Sequence, residues 1–257
     1  MKGRSGRLIV IGLFLIGVAV IGNLILYAFG VSPFNVATIR EVRAIPAEGV
    51  SQIEVFSNFG DVRVVSGGHE ITVKMTGKAE RQRLNEYHLS VTERDGGRLV
   101  IEASRDDKRR LVSMVPGDYE LLVELPDRLY EQLRIETELA NISAEGVQAK
   151  RVTVRTEHGD IATAGLSGKI EAQAVTGNIR LGVLAIADDM EAQTVYGDIA
   201  VLPDEPPESL SLKLETRFGE KKVELPETET GASGTDAPTL KLTSVVGDIT
   251  VKAASAP

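Results

Sequence analysis

The stretch "VYGDIAV", Val195 to Val201, has a Gly-Asp-Ile core that returns along the chain as "NFGDVRV" from Asn58, "EHGDIAT" from Glu157, "VTGNIRL" from Val175 and "VVGDITV" from Val245. A repeat at fixed spacing points to a repeat architecture before any single motif is weighed. Aligned on the glycine, the units need no gaps. Seven residues before it stand Ile53, Leu133, Val152, Ile170, Met190, Leu212 and Leu240, and five before it Val55, Ile135, Val154, Ala172, Ala192, Leu214 and Leu242. Three before it come the small residues Ser57, Thr137, Thr156, Ala174, Thr194, Thr216 and Ser244. Two after it the side chain is Val or Ile except at Lys221, and the glycine position itself departs only at Ala140.

The apolar positions are odd before the glycine and even after it, so the alternation of faces slips by one residue at the corner. A continuous strand cannot do this, because a one-residue shift turns every side chain to the other face. A corner can, and glycine takes positive φ there at little steric cost. Each unit therefore reads strand, corner, strand, and the corner glycines are Gly60, Gly159, Gly177, Gly197, Gly219 and Gly247. From Ala140 to Gly219 the units recur every 18 to 22 residues, the length of one coil of a β-solenoid. "AEGVQAKR" and "AGLSGK" are expected to supply a third side of each coil. A row of hairpins is the rival reading, but it needs no small residue repeated beside the turn. The expected fold class is all-β, a β-solenoid (β-helix-like) repeat domain preceded by one N-terminal transmembrane helix.

That helix is read from "MKGRSGRLIVIGLFLIGVAVIGNLILYAFG": Lys2, Arg4 and Arg7 precede an uncharged apolar run from Leu8 to Phe29, which meets the roughly 20 residues a bilayer demands. A signal-peptide core is usually only about 7–15 residues, so a retained anchor is expected over a cleaved leader. The basic N-terminus orients it with the remainder outside the cytoplasm of a bacterial cell. The expected organisation is a basic cytoplasmic tail at 1–7, the membrane helix at 8–29, a tether at 30–49, an N-terminal β-region at 50–130, and solenoid repeats at 131–257 with a flexible Pro-, Gly- and acid-rich loop at 226–238. Between Gly60 and Ala140 the repeat lapses, although "HEITVKMTG", "YHLSVTE", "RLVIEAS" and "YELLVELP" still alternate as strands.

Composition removes several classes of chemistry. The 257 residues contain no cysteine and three histidines, His69, His88 and His158, which excludes thiol catalysis and disulfides. Beyond the basic tail, 26 basic residues face 37 acidic ones, so no basic footprint for nucleic acid is present. "AGLSGK" has neither the spacing of a phosphate loop nor that of a serine elbow. Outward charges such as Arg155, Glu157, Lys169, Glu171 and Arg180 read as a solvated surface rather than as carboxylates paired about 5–9.5 Å apart for glycoside hydrolysis. Lys108, Arg109 and Arg110 read as a charged hairpin tip. No catalytic residue, cofactor or metal ligand is expected.

After the corners stand Asp61, Asn141, Asp160, Asn178, Asp198, Glu220 and Asp248, a polar ladder along one edge. Asp and Asn in turns bond local backbone amides through their short side chains; calcium, which gathers several carboxylate and carbonyl oxygens, is the competing explanation of the same ladder.

A basic N-terminus with one membrane helix, strands ending in "VELP", and recurring T-x-x-G-D-I-x-V units resembles a bacterial membrane-anchored β-strand-repeat family of unknown function, the candidate adhesins, LiaG-type membrane proteins among them. The resemblance covers about Ile53 to Ala253 and implies a solenoid-like extracytoplasmic domain with a role in the cell envelope. It implies no catalytic residues. Together these readings predict a non-catalytic binding or scaffold module at the cell membrane, with a cell-wall polymer or envelope protein as partner. Val251 ends the last strand and only "KAASAP" follows, so an uncapped final coil and weak end-to-end self-association are expected.

Overall fold

The computed structural model describes residues 2–29, 35–106, 118–225, 229–230 and 237–253. Helix α1 (Lys2–Ala28) carries the apolar span Ile9–Ala28, none of which is buried against the rest of the described protein. The strands follow as β1 (Val36–Ile45), β2 (Gln52–Ser57), β3 (Asp61–Ser66), β4 (Ile71–Glu80), β5 (Tyr87–Arg94), β6 (Arg98–Arg105) and β7 (Glu120–Leu125). Then come β8 (Leu129–Leu139), β9 (Ile142–Glu145), β10 (Gln148–His158), β11 (Ile161–Thr176), β12 (Ile179–Ala185), β13 (Met190–Tyr196) and β14 (Ile199–Glu205). The described strands end with β15 (Ser209–Phe218), β16 (Lys221–Glu224), β17 (Glu229–Thr230), β18 (Thr239–Val246) and β19 (Ile249–Lys252).

These strands form a β-solenoid of two facing sheets. The first sheet runs β5, β6, β2, β8, β10, β11, β13, β18, β15. The second runs β1, β4, β7, β3, β9, β11, β12, β14, β19, β16. Strand β11 serves both sheets, bending through Gly165 (φ 61°) and Gly168 (φ 96°). "AGLSGK" is thus a bend inside one strand and not a third side. Pairing is parallel through the stack, which excludes a row of hairpins there.

The register of the sheets is the alignment of the repeat. Ile53, Leu133, Val152, Ile170, Met190, Leu240 and Leu212 are successive partners. All but Leu212 are at most 3% exposed. Across the core, Val62, Ile142, Ile161, Ile179, Ile199 and Ile249 form the matching row. Each such side chain, fully buried, is worth roughly 1.5–3 kcal/mol, and a single cluster from Ile39 to Val251 holds them together.

The order of coils in space differs from their order in sequence at both ends. Coil β2–β3 lies between β6–β7 and β8–β9. Coil β18–β19 lies between β13–β14 and β15–β16. The segment ending at Val251 is therefore interior, which corrects the expectation of an uncapped final coil there; the outermost coil is β15–β16. The lapse between Gly60 and Ala140 also resolves. Leu99, Ile101 and Ala103 pair with Ile53, Val55 and Ser57, and Leu121 and Val123 pair with Val62 and Val64, so β6–β7 is a coil.

The N-terminal end is closed by antiparallel strands, β4 on β7, β1 on β4 and β5 on β6. Beneath them Phe59, Tyr87 and Tyr119 pack together, the two tyrosine rings stacked at 5.0 Å with their hydroxyls 2.5 Å apart. Burial and that hydrogen bond hold the Tyr119 phenol well above the usual range. Strand β1 occupies much of the segment read as a tether. Only Ile39 is buried in it, so its hydrogen bonds to β4, and not an apolar period, make it a strand. Of the loop 226–238, Glu229–Thr230 pairs with Ser209–Leu210 and Ala237–Pro238 precedes β18; the rest of it, like Lys108, Arg109 and Arg110, lies outside the described residues.

Candidate functional site

The corners carry the motif, and their backbone is constrained twice. Gly159, Gly177, Gly197 and Gly247 have φ of 152°, 147°, 154° and 147°, and Gly60 has 70°. At Gly197 an added Cβ would overlap the carbonyl oxygen of Gly177 in the coil beneath. Gly219 lies outside the +20° to +160° range but meets the carbonyl of Gly247 in the same way. Glycine is thus demanded by inter-coil contact as well as by φ.

The polar ladder joins coils to each other. Asn141 N–H donates to Asp61 Oδ1 at 3.1 Å, Asp160 N–H to Asn141 Oδ1 at 2.9 Å, Asn178 N–H to Asp160 Oδ1 at 2.7 Å and Asp198 N–H to Asn178 Oδ1 at 2.9 Å. Asp248 N–H then donates to Asp198 Oδ1, and Glu220 N–H to Asp248 Oδ1, both at 2.8 Å. The bonds expected within each turn are therefore made to the neighbouring coil. The one glutamate, Glu220, stands at the outermost coil, where no further amide follows among the described residues. Apart from a second bond from Asn141 Nδ2 to Asp61 Oδ1, the rungs use one side-chain oxygen that Asp and Asn share, so Asp198→Asn is expected to leave the melting temperature nearly unchanged. Asp198→Ala should cost about 0.5–1.5 kcal/mol. A loss in the Asn variant equal to that in the Ala variant would mean that the carboxylate charge, and hence a cation, is needed.

Behind the ladder, the small residues donate to the carbonyls of the corners. Thr156 Oγ1 reaches Ala140 O at 3.1 Å, and Thr194, Ser244 and Thr216 reach Gly177, Gly197 and Gly247 O at 3.0 Å. Ala174, 6% exposed, occupies the same place without a hydroxyl. Ala174→Ser is expected to supply the missing bond to Gly159 O and stabilise by about 0.5–1.5 kcal/mol, raising the melting temperature by roughly 2–4 °C per kcal/mol. A lower melting temperature would show that the corner cannot hold the extra atom.

Beside the corners lies the outer face of the first sheet. A groove of about 670 Å³ crosses β6, β2, β8, β10, β11, β13 and β18. Its floor is a row four residues before the corner: Glu102, Phe56, Glu136, Arg155, Gln173, Gln193 and Thr243, successive partners across the strands. Its rim is the row two before the corner: Glu138, Glu157, Val175, Val195 and Val245. One position further, Tyr196, Val246 and Phe218 are neighbours in register and stand 58%, 40% and 61% exposed. These three side chains form a contiguous exposed apolar edge.

Ion pairs settle part of the floor. Arg134 donates to Glu136 at 2.7 and 2.9 Å, and Arg155 bridges Glu136 and Glu171 at 3.8 and 2.5 Å. Lys241 donates to Glu191 at 2.8 Å, tying β18 to β13; that bond holds the Glu191 carboxyl below the usual carboxylate range. Gln173 and Gln193 each donate to the glutamate two residues before them. Glu138 and Glu157 have no ion pair among the described residues. The groove is thus acidic toward β8 and β10 and uncharged toward β11, β13 and β18. Among the described residues no group of three or more His, Asp or Glu side chains is placed to hold a metal ion.

The groove is missing from the sequence reading, where Arg155, Glu157 and Glu171 count as scattered surface charge. The signal is present all the same: the outward positions, read down the aligned repeats, give columns, and columns become rows across a parallel sheet.

Residues 45–252 match the family model Toastrack DUF4097, and the chain belongs to that family. This is the β-repeat, adhesin-like class that the T-x-x-G-D-I-x-V units resemble, and the solenoid the resemblance implies is the fold observed. Among solved structures, a candidate cell adhesion protein from Clostridium sporogenes is 15% identical, with 85% of this chain and 100% of that one covered at a TM-score of 0.45. A candidate adhesin from Bacteroides fragilis is 13% identical over 85% and 97%, also at 0.45. A candidate lipid-binding protein from Parabacteroides distasonis is 14% identical over 81% and 96%, at 0.35. No curated protein matches the chain.

Proposed function

We propose that this Toastrack-family chain is a membrane-anchored, extracytoplasmic and non-catalytic binding module of the bacterial cell envelope. The observation that carries this reading is the outer face of the first sheet: a groove crossing seven strands, flanked by exposed Tyr196, Val246 and Phe218. Within it Glu136 is held by Arg134 and Arg155, an arrangement suited to fixing a surface.

In this reading α1 is the anchor, oriented by Lys2, Arg4 and Arg7. The anchor confines the groove to a thin layer outside the membrane, which raises its effective concentration for envelope partners without any new contact. Self-assembly through the outermost coil β15–β16 is the alternative, and sedimentation of the purified chain at high concentration tests it.

The absence of cysteine makes the orientation simple to check. In an Ala187→Cys variant, the single thiol lies in the exposed stretch between β12 and β13 and should react with a membrane-impermeant maleimide on intact cells. Labelling only after lysis would refute the extracytoplasmic placement. Binding is tested by co-sedimentation of the full chain, in detergent micelles, with isolated envelope fractions; saturable binding supports the module and none refutes it.

A further inference from the structure

We propose that the groove binds an extended, uncharged, β-linked polysaccharide lying along the stack, about one sugar ring to each coil. This rests on the binding-module reading and adds the ligand class. The groove runs across the strands, so a ligand in it meets one floor residue per strand, every 4.7–4.9 Å or so, over roughly 30 Å. A ligand that meets each rung alike must repeat near that spacing.

Extended polypeptide does not. Its side chains return to one side only every second residue, about 6.6 Å apart. The main-chain groups of the inner strands are already engaged in the sheet, so no strand can be added on this face. Polyanions such as nucleic acids or polyphosphates meet Glu102, Glu138 and Glu157 with no exposed cationic row to receive them. Rings of an extended β-1,4-linked glycan advance by close to the strand spacing and carry no charge; alternate rings are turned over, but either way up each presents hydroxyls and a C–H face to the sheet, so every rung meets like chemistry.

The side chains fit that chemistry in two ways. Gln173 and Gln193 donate to Glu171 and Glu191, which fixes their amides in register and leaves the amide oxygens to accept from ligand hydroxyls; Thr243 continues the row. Val175, Val195 and Val245 line the rim beside them, an apolar wall for the C–H faces of the rings. A polymer held by many weak, evenly spaced contacts gains affinity with its length, and this distinguishes a groove from a single-sugar pocket.

The test is calorimetry of the full chain in detergent micelles against chitohexaose and cellohexaose, with the corresponding disaccharides and an α-linked maltohexaose for comparison. At least one β-linked hexamer should bind tenfold or more tighter than its disaccharide, which corresponds to about 1.4 kcal/mol, and the α-linked oligomer should bind no better than a disaccharide. The double variant Gln173→Ala with Gln193→Ala should lose at least tenfold of the hexamer affinity with an unchanged melting temperature, since both side chains lie on the outer face. Equal affinity for hexamer and disaccharide, or undiminished binding by the double variant, would overturn the proposal. Binding to envelope fractions with none to either β-linked hexamer would overturn the polysaccharide assignment and leave the binding module standing. No binding to fractions or oligosaccharides would overturn both.

Discussion

A chain from Asn35 that stops at Pro238 is expected not to fold. The core cluster begins at Ile39 and excludes α1, so the parent from Asn35 should fold without the helix. Losing β18 and β19, however, removes a coil from inside the stack rather than from its end. Leu240, Leu242, Ile249 and Val251, all 0% exposed, leave the core together; at roughly 1.5–3 kcal/mol each this is about 6–12 kcal/mol, comparable to the whole stability of about 5–15 kcal/mol of a typical domain. The loss also strands β15 and β16, whose partners among the long strands are β18 and β19. Near-ultraviolet circular dichroism and limited proteolysis should show lost tertiary packing and rapid cleavage. A cooperative melt within a few degrees of the parent's would mean that β15–β16 can close directly onto β13–β14, and that the insertion is dispensable.

The second large effect is expected from Gly197→Val. Its φ of 154° is a conformation that β-branched residues avoid, and strain of that kind costs about 1–3 kcal/mol. The new Cβ must also displace the Gly177 carbonyl, which accepts from Thr194 Oγ1, adding about 1–3 kcal/mol of overpacking. Together these predict a loss of roughly 3 kcal/mol or more and a melting temperature lower by about 6–12 °C. Gly67→Ala is the companion: a Cβ there meets nothing within 4 Å, and the variant should melt with the parent. Equal melting of both variants would remove the corner from the account of stability.

The repeat is legible in the sequence because one physical constraint, a parallel register with an inward side chain every second residue, writes the same residue types at the same offsets in each coil. Leu133, Val152, Ile170 and Met190 share an offset of seven from their corners, and that offset alone sets them side by side, as their pairing bears out. The features that stay hidden follow from constraints that leave no period. The spatial order of coils leaves none, since β18–β19 carries the same pattern whether it lies outside β15–β16 or within. Strand β1 leaves none, because edge hydrogen bonds accept almost any side chain. Coil β6–β7 goes unrecognised because no Gly-Asp-Ile motif stands between its two strands in the sequence. The groove lies in the outward columns, where Gln173 and Gln193 look like ordinary surface until the sheet sets them in one row.

The interleaving at both ends also dictates an order of events. Loop closure favours contacts between segments adjacent in the chain, and β8 through β14 form the longest run of coils whose order in space follows their order in sequence. That middle stretch is where a nucleus can form at low entropic cost. Coil β2–β3, although made earlier, has no two-sided berth until β6–β7 arrives, and β15–β16 must wait for the strands that follow it. Folding rates should therefore respond to core truncations at Val154 or Ala172, and unfolding rates to those at Leu240 or Ile53. A newly emerging chain would hold its first strands in reserve while its centre takes shape.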